Sequence, residues 1–339
     1  MEAVMYTHDY RQTLVTDVIA QFPAQRVFIL TDTQVGALYL KQTVAALETT
    51  DREIHTMTVP VGEGSKSLAT YEQISQALAD AHFDRHDALV SLGGGVIGDL
   101  GGYVASTYKR GIAFIQVPTS FTAQVDSSVG GKTALNLGSQ KNVIGTFYQP
   151  VTTIIDSQFL DTLSTRNLLE GYVETIKMSL LAGGDFAALT ATISTPGEIL
   201  DHRDALIKAS IDYKTHIVAG DFKDFGQRKF LNFGHTLGHA IELADPDLMH
   251  GEAVGIGMFQ LAQLLMPIEI QAAIRERLTA LGLPLSSQYL GTVAFYDNLL
   301  NDKKVAGSTI DLVVLPVIGQ PAIQTMPLTE FKTLLQSAN

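Results

Sequence analysis

Through residues 1–156, short apolar runs alternate with stretches of helical periodicity, and this alternation leaves few folds open. Residues 27–30, 54–59, 88–92, 112–117 and 151–155 read as strands, the fourth stopped by Pro118. Residues 35–47, 68–82 and 96–108 carry apolar side chains at helical spacing between them. Strand and helix in turn predict a parallel sheet with helices on both faces, a Rossmann-like α/β domain. Ligands of such sheets lie beyond the carboxyl ends of the strands. After Asp156 the pattern changes. Segments 164–181, 196–222, 233–243, 252–265 and 268–281 are helical in period, and only 311–318 reads as a strand. The expectation is an α/β domain over 1–156 and a mostly α-helical domain over 157–339.

Composition narrows the class. With 339 residues, 46% hydrophobic and 17% charged, the chain can bury a sizeable core. A net charge of -12 disfavours nucleic acid and anionic membrane as partners, so an anionic ligand needs a local basic cluster. The absence of cysteine excludes disulfides, thiolate zinc sites and cysteine nucleophiles, and fits a cytoplasmic protein. Residues 1–11 lack the apolar core of a signal peptide, and no apolar run approaches the ~20 residues needed to span a bilayer.

Three groups of residues point to chemistry. Gly93-Gly94-Gly95 follows a strand and precedes Gly98-Asp99 on the next helix. Glycines there let backbone approach a pyrophosphate at a helix N-terminus, although a tight turn alone would look the same. The polar loop 119–133 reads as a ligand loop. Its Gly130-Gly131-Lys132-Thr133 imitates a P-loop but has Asp126 where that motif needs glycine. His235, His239 and His250 fall within sixteen residues, three of only nine histidines. Two imidazoles and a carboxylate make a catalytic zinc set, with Glu174, Glu242 and Glu252 as carboxylate candidates. His235 and His239 share a helix face, and Gly234 and Gly238 beside them leave room for a close neighbour. Lys132, Lys141, Lys177, Arg228, Lys303 and Lys304 could bind phosphate and carboxylate as a set, while each alone reads as solvated surface.

The blocks SLGGGVIGDLGGYVAST, QVPTSFTAQVDSSVGGKTALN, KNVIGTFYQP, LNFGHTLGHAIE, HGEAV and DKKV, in this order, resemble the 3-dehydroquinate synthase family from about Asp32 to Gly319. The resemblance implies a dehydroquinate synthase-like fold with NAD and one divalent metal, Zn2+ or Co2+. It makes Glu174, His235 and His250 the metal ligands and moves His239 to the substrate side. The implied NAD contacts are Asp32 at the adenosine ribose, then Gly62, Glu63, Lys66, Gly94, Gly95, Val96, Ile97, Gly98 and Asp99. Thr119, Ser120, Lys132, Lys141 and the segment Phe159, Leu160, Asp161, Thr162 complete that set. The implied substrate contacts are Asp126, Lys132, Asn142, Lys177, Arg228, Asn232, His239, Lys303 and Lys304. Arg110 would reach the phosphate site of a partner, which implies a homodimer.

The implied substrate is 3-deoxy-D-arabino-heptulosonate 7-phosphate. The implied course is transient oxidation by NAD at carbon 5, β-elimination of phosphate, re-reduction, and an intramolecular aldol closing 3-dehydroquinate. An inosose- or valiolone-forming cyclase and a metal-dependent alcohol or glycerol dehydrogenase are the alternatives. The chain departs from the family pattern at Val61, Ser120, Phe121-Thr122 and Tyr172-Val173.

Overall fold

The computed structural model describes residues 3–138, 140–300, 305–306 and 308–338. Two compact units are formed, Met1–Leu163 and Ser164–Asn339.

In the first unit the strands are β1 (Ala3–Thr7), β2 (Arg26–Asp32), β3 (Glu53–Val59), β4 (Ala88–Gly93), β5 (Ala113–Pro118), β6 (Lys132–Leu137), β7 (Gln140–Phe147) and β8 (Thr152–Asp156). Six of them form one sheet in the order β1-β8-β5-β4-β2-β3, with every neighbouring pair parallel. The helices are α1 (Tyr10–Gln12), α2 (Thr33–Val35), α3 (Lys41–Leu47), α4 (Leu68–Asp80) and α5 (Gly95–Thr107). Alternate residues of a strand face opposite sides. Val27 and Ile29 of β2 therefore pack with Leu14, Ile19 and Leu47, while Phe28 and Leu30 pack with Ile74 and Leu78 of α4 and Leu100 of α5. Both faces are covered, which is why β2 and β4 are apolar at consecutive positions rather than alternating.

All five strands expected in this half are present. Two features were not anticipated. β1 is a short edge strand with only intermediate or exposed side chains, so it carries no buried-strand pattern. The loop expected over 119–133 contains a π-helical turn, Ala123–Ser127, and its end enters the β6–β7 antiparallel hairpin at Lys132. The 3-10 segment Ser157–Thr162, beyond the boundary drawn from sequence, lies in the first unit. The Phe159 ring lies 4.8 Å from both Tyr10, tilted, and Tyr39, edge to face, and the Tyr39 hydroxyl bonds Thr162 at 2.7 Å.

The second unit contains α6 (Thr165–Ala182), α7 (Gly184–Thr192), α8 (Pro196–Asp201), α9 (Arg203–Gly220), α10 (His235–Ala244), α11 (His250–Leu265), α12 (Ile268–Ala280), α13 (Val293–Leu300) and α14 (Leu328–Ala338). The helix expected over 196–222 is two helices, because His202 (φ -104, ψ 7) leaves the helical region between α8 and α9. The single strand expected at 311–318 is β10 (Thr309–Val317), flanked by β9 (Val305–Ala306) and β11 (Gln320–Pro327). No helix of the described residues is long and apolar enough to cross a membrane.

Glycines decide how closely the helices of this unit pack. A Cβ on Gly257 of α11 would collide with the Gly234 carbonyl and the Gly238 amide of α10. One on Gly251 would strike the backbone of Glu170 on α6. Gly234 itself has φ +78, a conformation that side-chain-bearing residues rarely adopt. The obstacle at Gly257 is backbone, which cannot rotate away. Gly257→Ala is therefore expected to destabilise the protein by about 1–3 kcal/mol, the usual cost of overpacking, with thermal unfolding of the metal-free protein as the measurement.

Candidate functional site

The helix crossings bring three histidines and one carboxylate together. Glu174 lies on the buried face of α6 and is 0% exposed. Its Oε1 stands 3.5 Å from Nε2 of His235 and 3.5 Å from Nε2 of His250. His235, His239 and His250 can each offer a ligand atom within 4.8 Å of the others. The far nitrogens of two of these rings are engaged elsewhere. His235 Nδ1 faces the Phe233 carbonyl at 3.1 Å, and His250 Nδ1 faces Glu242 Oε2 at 2.9 Å. Each contact turns Nε2 toward Glu174, the orientation a metal-binding imidazole requires.

Neither Glu174 oxygen accepts an aligned hydrogen bond among the described residues, although the buried Lys177 ammonium is ion-paired with Oε2. A fully buried carboxylate short of hydrogen bonds is costly unless a cation compensates it. With two inward imidazoles beside it, the donor set fits a divalent metal. Burial by itself raises the Glu174 carboxyl, but Lys177 and then His250 overcome this and hold it at about 2. Burial by itself lowers His250, but Glu174 and Glu242 overcome it and push the imidazole up to about 10.

Of the three carboxylate candidates, the structure separates the roles. Glu252 is held by Arg166 through both oxygens, at 2.9 and 2.6 Å, and caps α11 by accepting from Met249 N. Glu242 stands behind His250, and only Glu174 faces both Nε2 atoms. Tyr172, one of the departures from the family pattern, is fully buried, and its hydroxyl donates to the Thr190 carbonyl at 3.3 Å.

Also in the second unit, Arg228 is buried and donates Nη1 to the Phe222 carbonyl at 2.7 Å, and Asn232 follows on the same 3-10 turn. Sequence reading passed over Lys214. It lies at a buried position of α9, in the stripe of Ile207, Ile211 and Val218, and a lysine inside an apolar helical stripe was the available signal. Lys303 and Lys304 lie outside the described residues.

In the first unit, Lys66 organises a polar network. Its Nζ donates to Asp99 Oδ2 at 2.7 Å and to Asn142 Oδ1 at 2.6 Å, and lies 3.8 Å from Glu63 Oε1. Asn136 joins them by accepting from Asn142 N at 2.9 Å and donating to Glu63 Oε2 at 2.9 Å. Four residues expected to contact ligand thus meet around Lys66, and Asn136, which carried no separate signal in the sequence, bridges two of them, Glu63 and Asn142. Lys132 and Lys141 are exposed on the adjoining hairpin, and Asp126 ends the π-helical turn region half-buried.

The glycine run forms a cradle at the end of β4. A Cβ on Gly94 would lie 3.2 Å from Ser120 Oγ, and one on Gly95 2.9 Å from Ser127 Oγ. A cavity beneath is lined by Gly93, Gly94, Gly95, Gly98, Ser127 and Ser128, and the buried hydroxyls of both serines lack a hydrogen-bond partner. Val96 and Ile97 open α5, with Ile97 turned into the core. Thr119 N bonds the Gly93 carbonyl and Ser120 Oγ accepts from Ala123 N, fixing the loop against the glycines. This backbone cradle fits a dinucleotide's phosphates. Asp32 ends β2, and its Oδ1 caps α2 through Gln34 N and Val35 N. Gly62, at φ +103, precedes the Glu63 turn. Phe159 and Leu160 point into the core, so only their backbone, with Asp161 and Thr162, is available to a ligand. Arg110 is exposed at φ 66.

Comparison with known proteins agrees across both units. The 3-dehydroquinate synthase N-terminal family matches residues 56–170 and the 3-dehydroquinate synthase C-terminal family matches residues 171–305. The chain is 51% identical over 305 residues to the 3-dehydroquinate synthase of Leuconostoc citreum, covering 88% of this chain and 85% of that one. Among solved structures it is similar to 2-deoxy-scyllo-inosose synthase complexed with carbaglucose-6-phosphate, NAD+ and Co2+, with TM-score 0.89, 25% identity, and 98% and 96% of the two chains covered. It also shares the fold of 2-epi-5-epi-valiolone synthase from Streptomyces hygroscopicus subsp. jinggangensis with NAD+ and Zn2+ bound, with TM-score 0.89, 24% identity, and 100% and 95% covered.

The charge pattern sets the pH behaviour of the histidine cluster. His250, raised to about 10 from 6.5, contributes stability to the metal-free protein below pH 6.5 and loses it as pH rises through 10. Glu174, lowered to about 2 from 4.5, contributes above pH 4.5 and loses it as pH falls through 2. Near neutral pH a metal must displace the His250 proton. Metal uptake is therefore expected to release about one proton, with affinity rising about tenfold per pH unit. Calorimetric titration in two buffers of different ionisation enthalpy measures this; equal heats in both would contradict it.

Proposed function

The chain belongs to the 3-dehydroquinate synthase family, and from that premise we propose that it converts 3-deoxy-D-arabino-heptulosonate 7-phosphate into 3-dehydroquinate and inorganic phosphate. It is a carbon–oxygen lyase. The observation that carries the reading is the fully buried Glu174 carboxylate, short of hydrogen bonds and faced by the Nε2 atoms of His235 and His250.

Glu174, His235 and His250 would hold one divalent metal, Zn2+ or Co2+, and the residues from Gly94 to Asp99 with Glu63, Lys66, Thr119 and Ser120 would hold NAD. When bound, the metal supplies Lewis acidity at a substrate hydroxyl, and NAD supplies a hydride acceptor that is restored within each turnover.

The chain's own side chains do the rest. Lys177 and Arg228, both buried, present fixed positive charge to an anionic substrate. Lys177 also offsets the negative charge of Glu174, so the site tolerates two acidic partners around His250. Asn232 supplies a neutral amide for orientation. His239, its ring 5.2 Å from that of His235, holds and returns a proton at a ring nitrogen. Lys66 keeps Asp99 in register for the cofactor and holds Asn142 beside it. The reading carries with it a cytoplasmic homodimer in which Arg110 serves the partner's phosphate site, supported by the exposure of Arg110.

Incubation of metal-loaded protein with the heptulosonate phosphate and catalytic NAD tests the assignment. Inorganic phosphate and 3-dehydroquinate are expected in equal amounts, without NADH accumulation. Stoichiometric NADH would indicate a dehydrogenase instead. No phosphate release from protein shown to bind metal and NAD would overturn the assignment and favour a cyclase of another sugar phosphate.

A further inference from the structure

Two imidazoles face Glu174, but their supports differ in kind. His235 Nδ1 is backed by a neutral backbone carbonyl, that of Phe233 at 3.1 Å. His250 Nδ1 is backed by a carboxylate, Glu242 Oε2 at 2.9 Å. Glu242 lies on α10, two turns beyond His235 and three residues beyond His239, with its side chain 16% exposed. His250 opens α11, where a ring has no preceding helical turn to pack against. The ring's direction therefore depends on what its nitrogens touch.

We propose that Glu242 is a positioning residue for the metal centre: it clamps His250 by Nδ1, presents Nε2 to the metal, and sets the affinity of the site through its negative charge. The inference rests on the metal-site reading above. It follows from the arrangement of one ring between two carboxylates, Glu174 at Nε2 and Glu242 at Nδ1. A carboxylate accepting from the far nitrogen fixes ring and tautomer and makes the near nitrogen a better donor. Charge balance points the same way. Glu174 and Glu242 contribute two negative charges and Lys177 one positive, so the surroundings of the ring are net negative and favour a cation. Of the other acidic residues near the start of α11, Glu252 is ion-paired with Arg166, while Glu170 of α6 lies against the first turn and adds to the negative surroundings of His250.

The test uses full-length protein and two ions, Zn2+ for affinity and Co2+ for its visible absorption. Zn2+ affinity is measured by competition with a chromophoric chelator for wild type, Glu242→Gln, Glu242→Ala and Glu174→Ala. Glu242→Gln keeps an acceptor oxygen and removes the charge, while Glu242→Ala removes both. Glu242→Ala is expected to weaken Zn2+ binding about 10–100-fold and to alter the Co2+ absorption bands. Glu242→Gln is expected to fall between it and wild type, with the bands closer to those of wild type. NAD binding, which uses residues of the first unit, serves as the control for folding and is expected to be unchanged. Zn2+ affinity within twofold of wild type and unchanged Co2+ bands in Glu242→Ala would overturn the positioning role. Wild-type protein that binds no Co2+, or whose binding survives Glu174→Ala, would overturn the metal-site reading itself, a different failure.

Discussion

The histidine-bearing half of the protein depends on backbone meeting backbone. Where α10 and α11 cross, Gly234 and Gly238 on one side and Gly257 on the other leave no room for a Cβ, and Gly251 lies against the main chain of Glu170 on α6. Side chains at these positions would displace the helices and with them the 3.5 Å separations between Glu174 and the two imidazoles. Glu174, His235 and His250 come from three helices, so no local sequence preference could assemble them. Helix packing does so, and the glycines set its distance.

Within that frame a buried charge has to be compensated from several directions. Glu174 is fully buried in a protein of net charge -12, an unfavourable place for one more carboxylate. Lys177, one helical turn away, answers it within the same helix, and His250 answers it from α11. His250 in turn is claimed by Glu242. The result is a small alternating lattice of charges whose balance is altered by protonation or by a cation. The first unit uses the same device: Lys66, nearly inaccessible, lies among Glu63, Asp99 and Asn142.

The α/β half was legible because parallel strands covered on both faces write themselves as unbroken apolar runs, as β2 and β4 do. β1 escaped notice because an edge strand keeps no such run, and the β6–β7 hairpin because its outward face is largely exposed. Candidate ligands were visible as clustered histidines and as blocks of family resemblance. Their division of labour was not, since Glu242 and Glu252 differ only in their neighbours: an imidazole for one, a guanidinium for the other. Lys214 was readable in principle, as a charge in a stripe that should have been apolar. Asn136 was not, because its role comes from contacts to residues far away in sequence.

The pairing of β1 with β8 has a consequence for how the chain reaches its folded state. Ala3 is registered against Thr152 and Thr7 against Asp156, so strands separated by most of the unit lie side by side. During synthesis β1 emerges long before the strand that accepts its hydrogen bonds, and it waits, solvated, until β8 has cleared the ribosome. Closure of so long a loop is entropically costly and slow. The sheet can grow outward from its β2–β4–β5 centre. Among the pairings of the sheet this one closes the longest stretch of chain, and until it forms β8 presents an unpaired strand edge.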